Sequence, residues 1–430
     1  MKNFALQPAE LIVRTMERIY RRRMTTTSGG NISVKDMASG DIWITPSGVD
    51  KGALTPGDIC RITPDGNRFG PHRPSVELPF HATIYKRRPD LRAVLHAHPP
   101  ALQAFAIARV VPNICLLANV CLTLGKIAMA EYAMPGSQEL GDTIAAEFEK
   151  GFDIIVMENH GVVIGAEDLL QAFMKLETLE SNATLEICAR KIGMPKSLQE
   201  SEICLANSGD HIRMHDFLPD THNPEEREAR RDMISLIHRA CRQKLFASAQ
   251  GTCSLRLGDG SFLITPHGMD RAYMEESDLV LIKSGRKERG KTPSRAVSLH
   301  QKIYEKHPAI RSVFGANPPH VMAFAVTDAS LNPRATPEGY LMLRQVQRAP
   351  FSARYLNEDE VPEMFSAKTP VVICENDQVL ATGSSLIHAY DRLEVAEALA
   401  RSAIAAEDIG ALVHISNREV DEIHAALNLD

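Results

Sequence analysis

The 430-residue chain has no excess of positive charge: 48 Lys and Arg stand against 54 Asp and Glu, a net charge of −6. The electrostatic basis for gripping nucleic acid or an anionic membrane is therefore missing. Long apolar runs are missing too. Stretches such as Asp153 to Met157 fall far short of the roughly 20 residues a membrane helix needs, and the amino terminus has no signal-peptide apolar core. No Cys-x-x-Cys occurs: Cys60, Cys115, Cys121, Cys188, Cys204, Cys241, Cys253 and Cys374 are scattered through a chain too long to need disulfide staples, so they read as reduced core thiols. These absences point to a cytoplasmic protein whose partner is a small molecule. With 44% hydrophobic and 24% charged residues, the composition excludes long disorder or a fibrous repeat.

The length is that of two or three domains, and an internal repeat selects two. Residues 74–107 and 293–326 align without gaps at 14 identities in 34, from Pro74-Ser75 and His81 through Ile84-Tyr85 to Pro99-Pro100, matched by Pro293-Ser294, His300, Ile303-Tyr304 and Pro318-Pro319. Ile44-Thr-Pro-Ser-Gly48 pairs with Ile264-Thr-Pro-His-Gly268, and Glu158-Asn-His-Gly161 with Glu375-Asn-Asp-Gln378, in the same order. The turn-rich, aperiodic stretch between the copies reads as a linker. The expected division is a first domain over 1–206, a linker over 207–224 and a second domain over 225–430.

Each copy alternates element types. Leu11, Ile12, Thr15, Met16 and Ile19 are spaced as a helix over 9–22, followed by a Gly-rich turn at Ser28-Gly-Gly30. Residues 32–35 and 41–45 predict a strand hairpin. Ser75 is placed to cap a helix running to Arg88, residues 92–98 predict a buried strand, and Pro99-Pro100 opens the next helix. A strand over 154–157, a turn at Asn159-His160-Gly161, a return strand and a helix over 167–190 complete the copy. This alternation predicts a sheet covered on both faces.

His96 and His98 lie two apart in a strand, so both side chains point to one face, and read either as satisfied core or surface residues or as a pair sharing one ion. His160, in a Gly-containing turn between strands, adds a third imidazole. Three neutral imidazoles suit Zn²⁺ or a similar first-row divalent ion and leave a position open for water or substrate. Glu77, near the start of a helix, reads either as compensation of the helix dipole or as a general base beside the metal. Lys51 and Arg73 read as ordinary surface charges.

Four motifs, Ser28-Gly-Gly-Asn-Ile-Ser33, Ile44-Thr-Pro-Ser-Gly48, Pro74-Ser-x-Glu77, and His96-x-His98 with Asn159-His-Gly161, occur in the order found in the class II aldolase/adducin family, which the first 205 residues resemble. The resemblance implies a three-layer α/β/α sandwich with a mixed, largely antiparallel central sheet, present twice. It further implies zinc on His96, His98 and His160, with Glu77 as acid/base; the repeat, which loses these ligands in its second copy, sets the expectation of one ion per chain. Asn31, Ser47, Gly48 and Ser75 would line a pocket for a substrate phosphate or carboxylate, where turn and helix N–H groups favour an anion. Tyr132 would exchange a proton with the aldehyde oxygen across a subunit interface. The implied reaction is aldolase-type cleavage of a carbon–carbon bond in a ketose, sugar phosphate or hydroxy-keto acid. Decarboxylase, dehydratase or epimerase chemistry, or a non-catalytic adducin-like scaffold, are the alternatives on the same fold. One departure weakens the anion pocket: Val76 stands where the family motif has a second serine.

Carried through the repeat, His96, His98 and His160 become Gly315, Asn317 and Asp377, while Glu77, Asn31, Ser47 and Tyr132 become Ala296, Thr252, His267 and Phe351. The second copy is expected to have lost the metal site and kept the scaffold. Family members form fourfold rings, so a homo-oligomer is expected, with two tandem chains imitating such a ring. The live site would then face a second copy, where Tyr340, Tyr355 or His320 would have to replace the missing tyrosine.

Overall fold

The computed structural model describes residues 7–208, 214–219, 221–357 and 359–427. They divide into two units: residues 7–114 with 123–183, and residues 115–122 with the described residues from 184 to 427. The packing units thus differ from a cut at the repeat boundary, because residues 115–122 and 184–206 pack with the second copy.

Strands β1 (Asn31–Lys35), β2 (Ile42–Ile44), β3 (Cys60–Ile62), β4 (Arg68–Phe69), β5 (Ala93–Ala97), β6 (Ile127–Ala130), β7 (Ile154–Met157) and β8 (Gly161–Ala166) form a sheet in the order β4-β3-β2-β1-β5-β8-β7-β6. Only β6 and β7 pair in parallel. The helices of the first copy are α1 (Pro8–Arg21), α2 (Leu78–Arg87), α3 (Pro100–Ala108), α4 (Ala118–Leu124), α5 (Gln138–Glu149) and α6 (Leu169–Ile192). Phe80, Ile84 and Tyr85 of α2 and Leu140, Ile144 and Phe148 of α5 pack with Val94, Ile155, Met157 and Val163 on one face of the sheet. Strand alternation sends Leu95, Val156 and Ile164 to the other face. Helix α1 begins with Pro8 in its first turn, where the missing N–H is not needed, and buries Ile12, Met16 and Ile19.

The second copy repeats this order. After α7 (Glu200–Ser208) and β9 (Asp216–Phe217), which have no counterpart in the first copy, it runs through α8 (Pro224–Arg242), β10 (Thr252–Arg256), β11 (Phe262–Ile264), β12 (Val280–Lys283), β13 (Arg286–Glu288), α9 (Val297–Lys306), β14 (Ser312–Ala316) and α10 (Pro319–Ala325). There follow α11 (Pro337–Leu343), β15 (Val346–Ala349), α12 (Phe351–Tyr355), α13 (Glu360–Glu363), β16 (Val371–Cys374), β17 (Gln378–Gly383), α14 (Leu386–Glu407) and α15 (Asn417–Leu427). The sheet order β15-β16-β17-β14-β10-β11-β12-β13 matches that of the first copy strand for strand, and β9 is added at the β13 edge. The fold is present twice, each time a mixed, mostly antiparallel sheet carrying helices.

Three sequence expectations need correction. Residues 214–219 and 221–224 of the linker are not all irregular: β9 pairs in parallel with the edge strand β13, and Asp216 holds Lys287 at 2.6 Å. An edge strand offers unpaired backbone groups that such a segment satisfies. Residues 209–213 and 220 of the linker lie outside the described set. Ser75 does not cap α2, which starts at Leu78 with Glu77 in the cap position and Pro79 in the first turn. Cys204 is exposed, and Cys115 and Cys121 are half-buried; the other five thiols are buried, and all eight are free. Among the described residues, no helix is long and apolar enough to cross a membrane.

Candidate metal centre

The first unit's site is assembled by β5, the β7–β8 turn and the entry to α2. In β5 the alternation places Val94 and His96 toward the face covered by α2 and α5, and His98 follows in the same phase just past the strand's end. The register sets Asn31 of β1 and Val163 of β8 directly opposite His96. The turn from β7 to β8 reverses at Asn159, whose φ of +54° is left-handed, and presents His160. Gly161 follows because nothing larger fits: a Cβ there would lie 2.6 Å from the Ala97 carbonyl and 2.7 Å from the His98 ring. Gly161→Ala is therefore expected to displace the turn against the metal ligands, destabilise the protein by about 1–3 kcal/mol and weaken metal binding, as read by melting and metal titration of the purified variant.

One ligand atom from each of His96, His98 and His160 lies within 4.8 Å of the others. His96 Nδ1 donates to the Val162 carbonyl at 3.0 Å, which leaves the lone pair on Nε2. The Nε2 atoms of His96 and His98 are buried without a hydrogen-bond partner. Two orphaned imidazole nitrogens, each costing about 1–3 kcal/mol if left unsatisfied, are what a site able to hold a metal ion presents. Burial, with the neighbouring imidazoles, pushes His96 and His98 down to about 3, and burial also lowers His160. All three are thus held in the neutral form a metal requires. The Glu77 carboxylate stands 3.4 Å from His96 Nε2 and 3.5 Å from His160 Nε2, only 7% exposed. The donor set fits a divalent first-row ion.

The sequence profile of the Class II Aldolase and Adducin N-terminal domain matches this chain twice, over residues 10–187 and 231–404. The chain belongs to this family. It is similar to the L-fuculose phosphate aldolase of Methanocaldococcus jannaschii, 34% identical over 177 residues that make up 41% of this chain and 93% of the relative. Similarity extends to the 5-deoxy-D-ribulose 1-phosphate aldolase of Bacillus thuringiensis serovar kurstaki (30% over 198 residues, 45% of this chain, 91% of the relative). It extends also to the 3-oxo-tetronate 4-phosphate decarboxylase of Haemophilus influenzae (30% over 184 residues, 42% and 87%).

The other residues singled out from the sequence fall in different places around this class II aldolase centre. Asn31 is buried, and its amide donates to Glu77 Oε2 at 2.6 Å. Ser75 Oγ accepts the Glu77 backbone N–H at 3.3 Å, and Ser47 sits in the loop whose backbone pairs with Arg73. Gly48, at φ +70°, has open space where a side chain would be. Lys51 is not a surface charge. It is 3% exposed, and its Nζ donates to the Pro46 and Val49 carbonyls at 2.6 and 3.2 Å, tying the Ile44–Gly48 loop from beneath. Burial lowers its pKa. Tyr132 is 59% exposed, and among the described residues no hydrogen bond links its side chain to the histidines or Glu77. His81, Ser33 and Tyr85, buried behind Glu77, were not identified from sequence; their persistence as His300, Ser254 and Tyr304 in the second copy was the available signal.

In the second copy Gly315 lies opposite Thr252, as His96 lies opposite Asn31. Asn317 donates to the Asp377 backbone carbonyl, and Tyr355 donates to Asp377 Oδ1 at 2.9 Å. Phe351, like Tyr132, follows by two residues the strand that pairs in parallel, but it is buried. His320 pairs with Glu397 at 2.6 Å, and Tyr340 with His424 at 2.7 Å.

Proposed function

We propose that the first copy is a zinc-dependent class II aldolase-type lyase that cleaves a carbon–carbon bond of a ketose, sugar phosphate or hydroxy-keto acid, with one metal ion per chain. The observation that carries this reading is the Glu77 carboxylate set beside three clustered imidazoles, two of which, His96 and His98, bury an Nε2 without a hydrogen-bond partner. His96, His98 and His160 would hold the ion. When bound, it supplies Lewis-acid stabilisation of the negative charge that develops on substrate oxygen as the bond breaks.

Glu77 moves the proton that must reach the carbon left behind, and its burial away from bulk water keeps that proton from exchanging freely. Asn31 holds the carboxylate in place. Ser47, Gly48 and Ser75 receive the anionic end of the substrate, and Lys51 adds a positive charge under that loop. Val76 in place of a second serine, together with the similarity to an oxo-tetronate phosphate decarboxylase, supports loss of CO₂ from an oxo acid as a second reading. In a ring of alternating copies Tyr132 would face a second copy, where Gly315, Asn317 and Asp377 replace the histidines, so the proton exchange at the live site would fall to a group of the second copy.

The chain is proposed to act in the cytoplasm as a homo-oligomer, two chains imitating a fourfold ring. In the second unit, Phe351 is covered by Ala118, Leu198 and Ala206; its first-copy counterpart Tyr132 is 59% exposed, and Met134, two residues on, is 71% exposed. A second copy of the chain is the occupant that the repeat itself supplies. Light scattering is expected to give twice the 47.4 kDa of one chain, and a monomer contradicts this. The reaction is tested by incubating zinc-loaded protein with phosphorylated and free ketoses and hydroxy-keto acids: aldehyde release supports cleavage, CO₂ release selects decarboxylation, and no turnover of any member removes both.

A further inference from the structure

Behind Glu77 runs a hydrogen-bonded chain that the proposed reaction leaves unused. Strand β1 places Asn31 and Ser33 on one face, and α2 with its cap position places Glu77, His81 and Tyr85 four residues apart along one stripe. The two rows interlock. Asn31 Nδ2 meets Glu77 Oε2 at 2.6 Å, Asn31 Oδ1 is bonded to His81 Nε2, His81 Nδ1 lies 2.7 Å from Ser33 Oγ, and Ser33 Oγ lies 2.8 Å from the Tyr85 hydroxyl. Ser33 and His81 are fully buried, and Asn31 and Tyr85 nearly so, so water does not replace a missing partner.

While Glu77 is ionised, the chain runs in one direction. An ionised carboxylate accepts and does not donate, so Asn31 must turn its NH₂ toward Glu77 and its carbonyl toward His81. His81, whose burial disfavours the charged form, must then carry its proton on Nε2. Its Nδ1 accepts the Ser33 hydroxyl, and the Tyr85 hydroxyl donates between Ser33 Oγ and the Ser33 backbone carbonyl, at 2.8 and 3.0 Å. The opposite tautomer would turn the Asn31 carbonyl onto Glu77, oxygen against carboxylate.

We propose that His81, Ser33 and Tyr85 are positioning residues: Ser33 and Tyr85 fix His81 as the Nε2–H tautomer, and His81 fixes the Asn31 amide with its NH₂ on Glu77. This rests on the reading of Glu77 as the acid/base of the first copy. The second copy shows the same device cut short. Ser254 Oγ lies 2.7 Å from His300 Nδ1 and 2.6 Å from the Tyr304 hydroxyl. Thr252 replaces Asn31 and bonds Ser294 at 2.8 Å, Ala296 replaces Glu77, and His300 Nε2 is buried without a partner. Packing alone thus accounts for the Ser–His–Tyr group in the second copy, whereas its continuation to a carboxylate exists only in the first.

The duplicate provides the control. Full-length Ser33→Ala and Tyr85→Phe are compared with Ser254→Ala and Tyr304→Phe, all zinc-loaded, using whichever ketose the wild type cleaves. Each pair is expected to lower the melting temperature alike. Only the first-copy pair is expected to lower kcat, by about 10- to 100-fold as for other outer-shell partners, with KM and metal content unchanged. ¹⁵N-histidine spectra, with His81 assigned by its absence in His81→Gln, are expected to show the Nε2–H tautomer in the wild type and its loss in Ser33→Ala. Equal kcat effects in the two copies, or an Nδ1–H His81 in the wild type, would overturn the proposal. Should no substrate be cleaved, the proposed reaction fails by itself and the tautomer measurement still decides this one.

Discussion

Glu77→Gln is expected to lower turnover by about 10²–10⁴-fold while leaving one metal ion per chain and an unchanged fold. The amide has nearly the carboxylate's shape, and the residue is not among the three clustered histidines proposed to hold the metal, His96, His98 and His160. What it loses is the capacity to accept and return a proton. It also faces the Asn31 NH₂, which requires an acceptor, and the substituted side chain can still offer its carbonyl oxygen to that group. The effect should therefore fall on kcat more than on stability. Steady-state kinetics with metal analysis of the same sample checks this, and retained turnover would remove Glu77 from the mechanism.

His98→Ala is expected to abolish both tight metal binding and turnover. The three imidazoles converge from two elements, His96 and His98 from the end of β5 and His160 from the turn at Gly161, and two ligands alone do not close a first-row site. The same variant should lose the metal-dependent rise in melting temperature. For the wild type that rise corresponds to about 2.7 kcal/mol at a free metal concentration one hundred times Kd. Calorimetry with and without added zinc reads it directly. A variant that keeps the rise places the ion elsewhere.

Much of this centre is legible in the sequence because it is local. His96 and His98 are paired by strand periodicity, and the turn at Asn159-His160-Gly161 is marked by its glycine; the structure explains that glycine by the close approach of Ala97. The repeat, too, was visible as identities, and strand order confirms that the fold occurs twice. What was not legible depends on contacts across 46 to 52 residues: the chain from Glu77 through Asn31 and His81 to Ser33 and Tyr85 joins a strand to a helix whose register no local pattern sets. Lys51 was misread because a charged residue in a polar loop looks exposed, and only the folded loop shows its ammonium donating to two inward carbonyls. The start of α2 was misplaced because Ser75 has the chemistry of a cap, while Pro79 favours a helix whose first turn begins later. The packing of residues 115–122 with the second copy carried no signal in sequence order.

Elemental analysis of the purified full-length protein, after zinc loading and removal of excess metal, decides whether the tandem chain carries one metal centre, in its first copy. One tightly bound ion per chain is expected in the wild type and none in His98→Ala; two ions per chain in the wild type, or one retained in His98→Ala, would place metal outside the His96, His98 and His160 cluster.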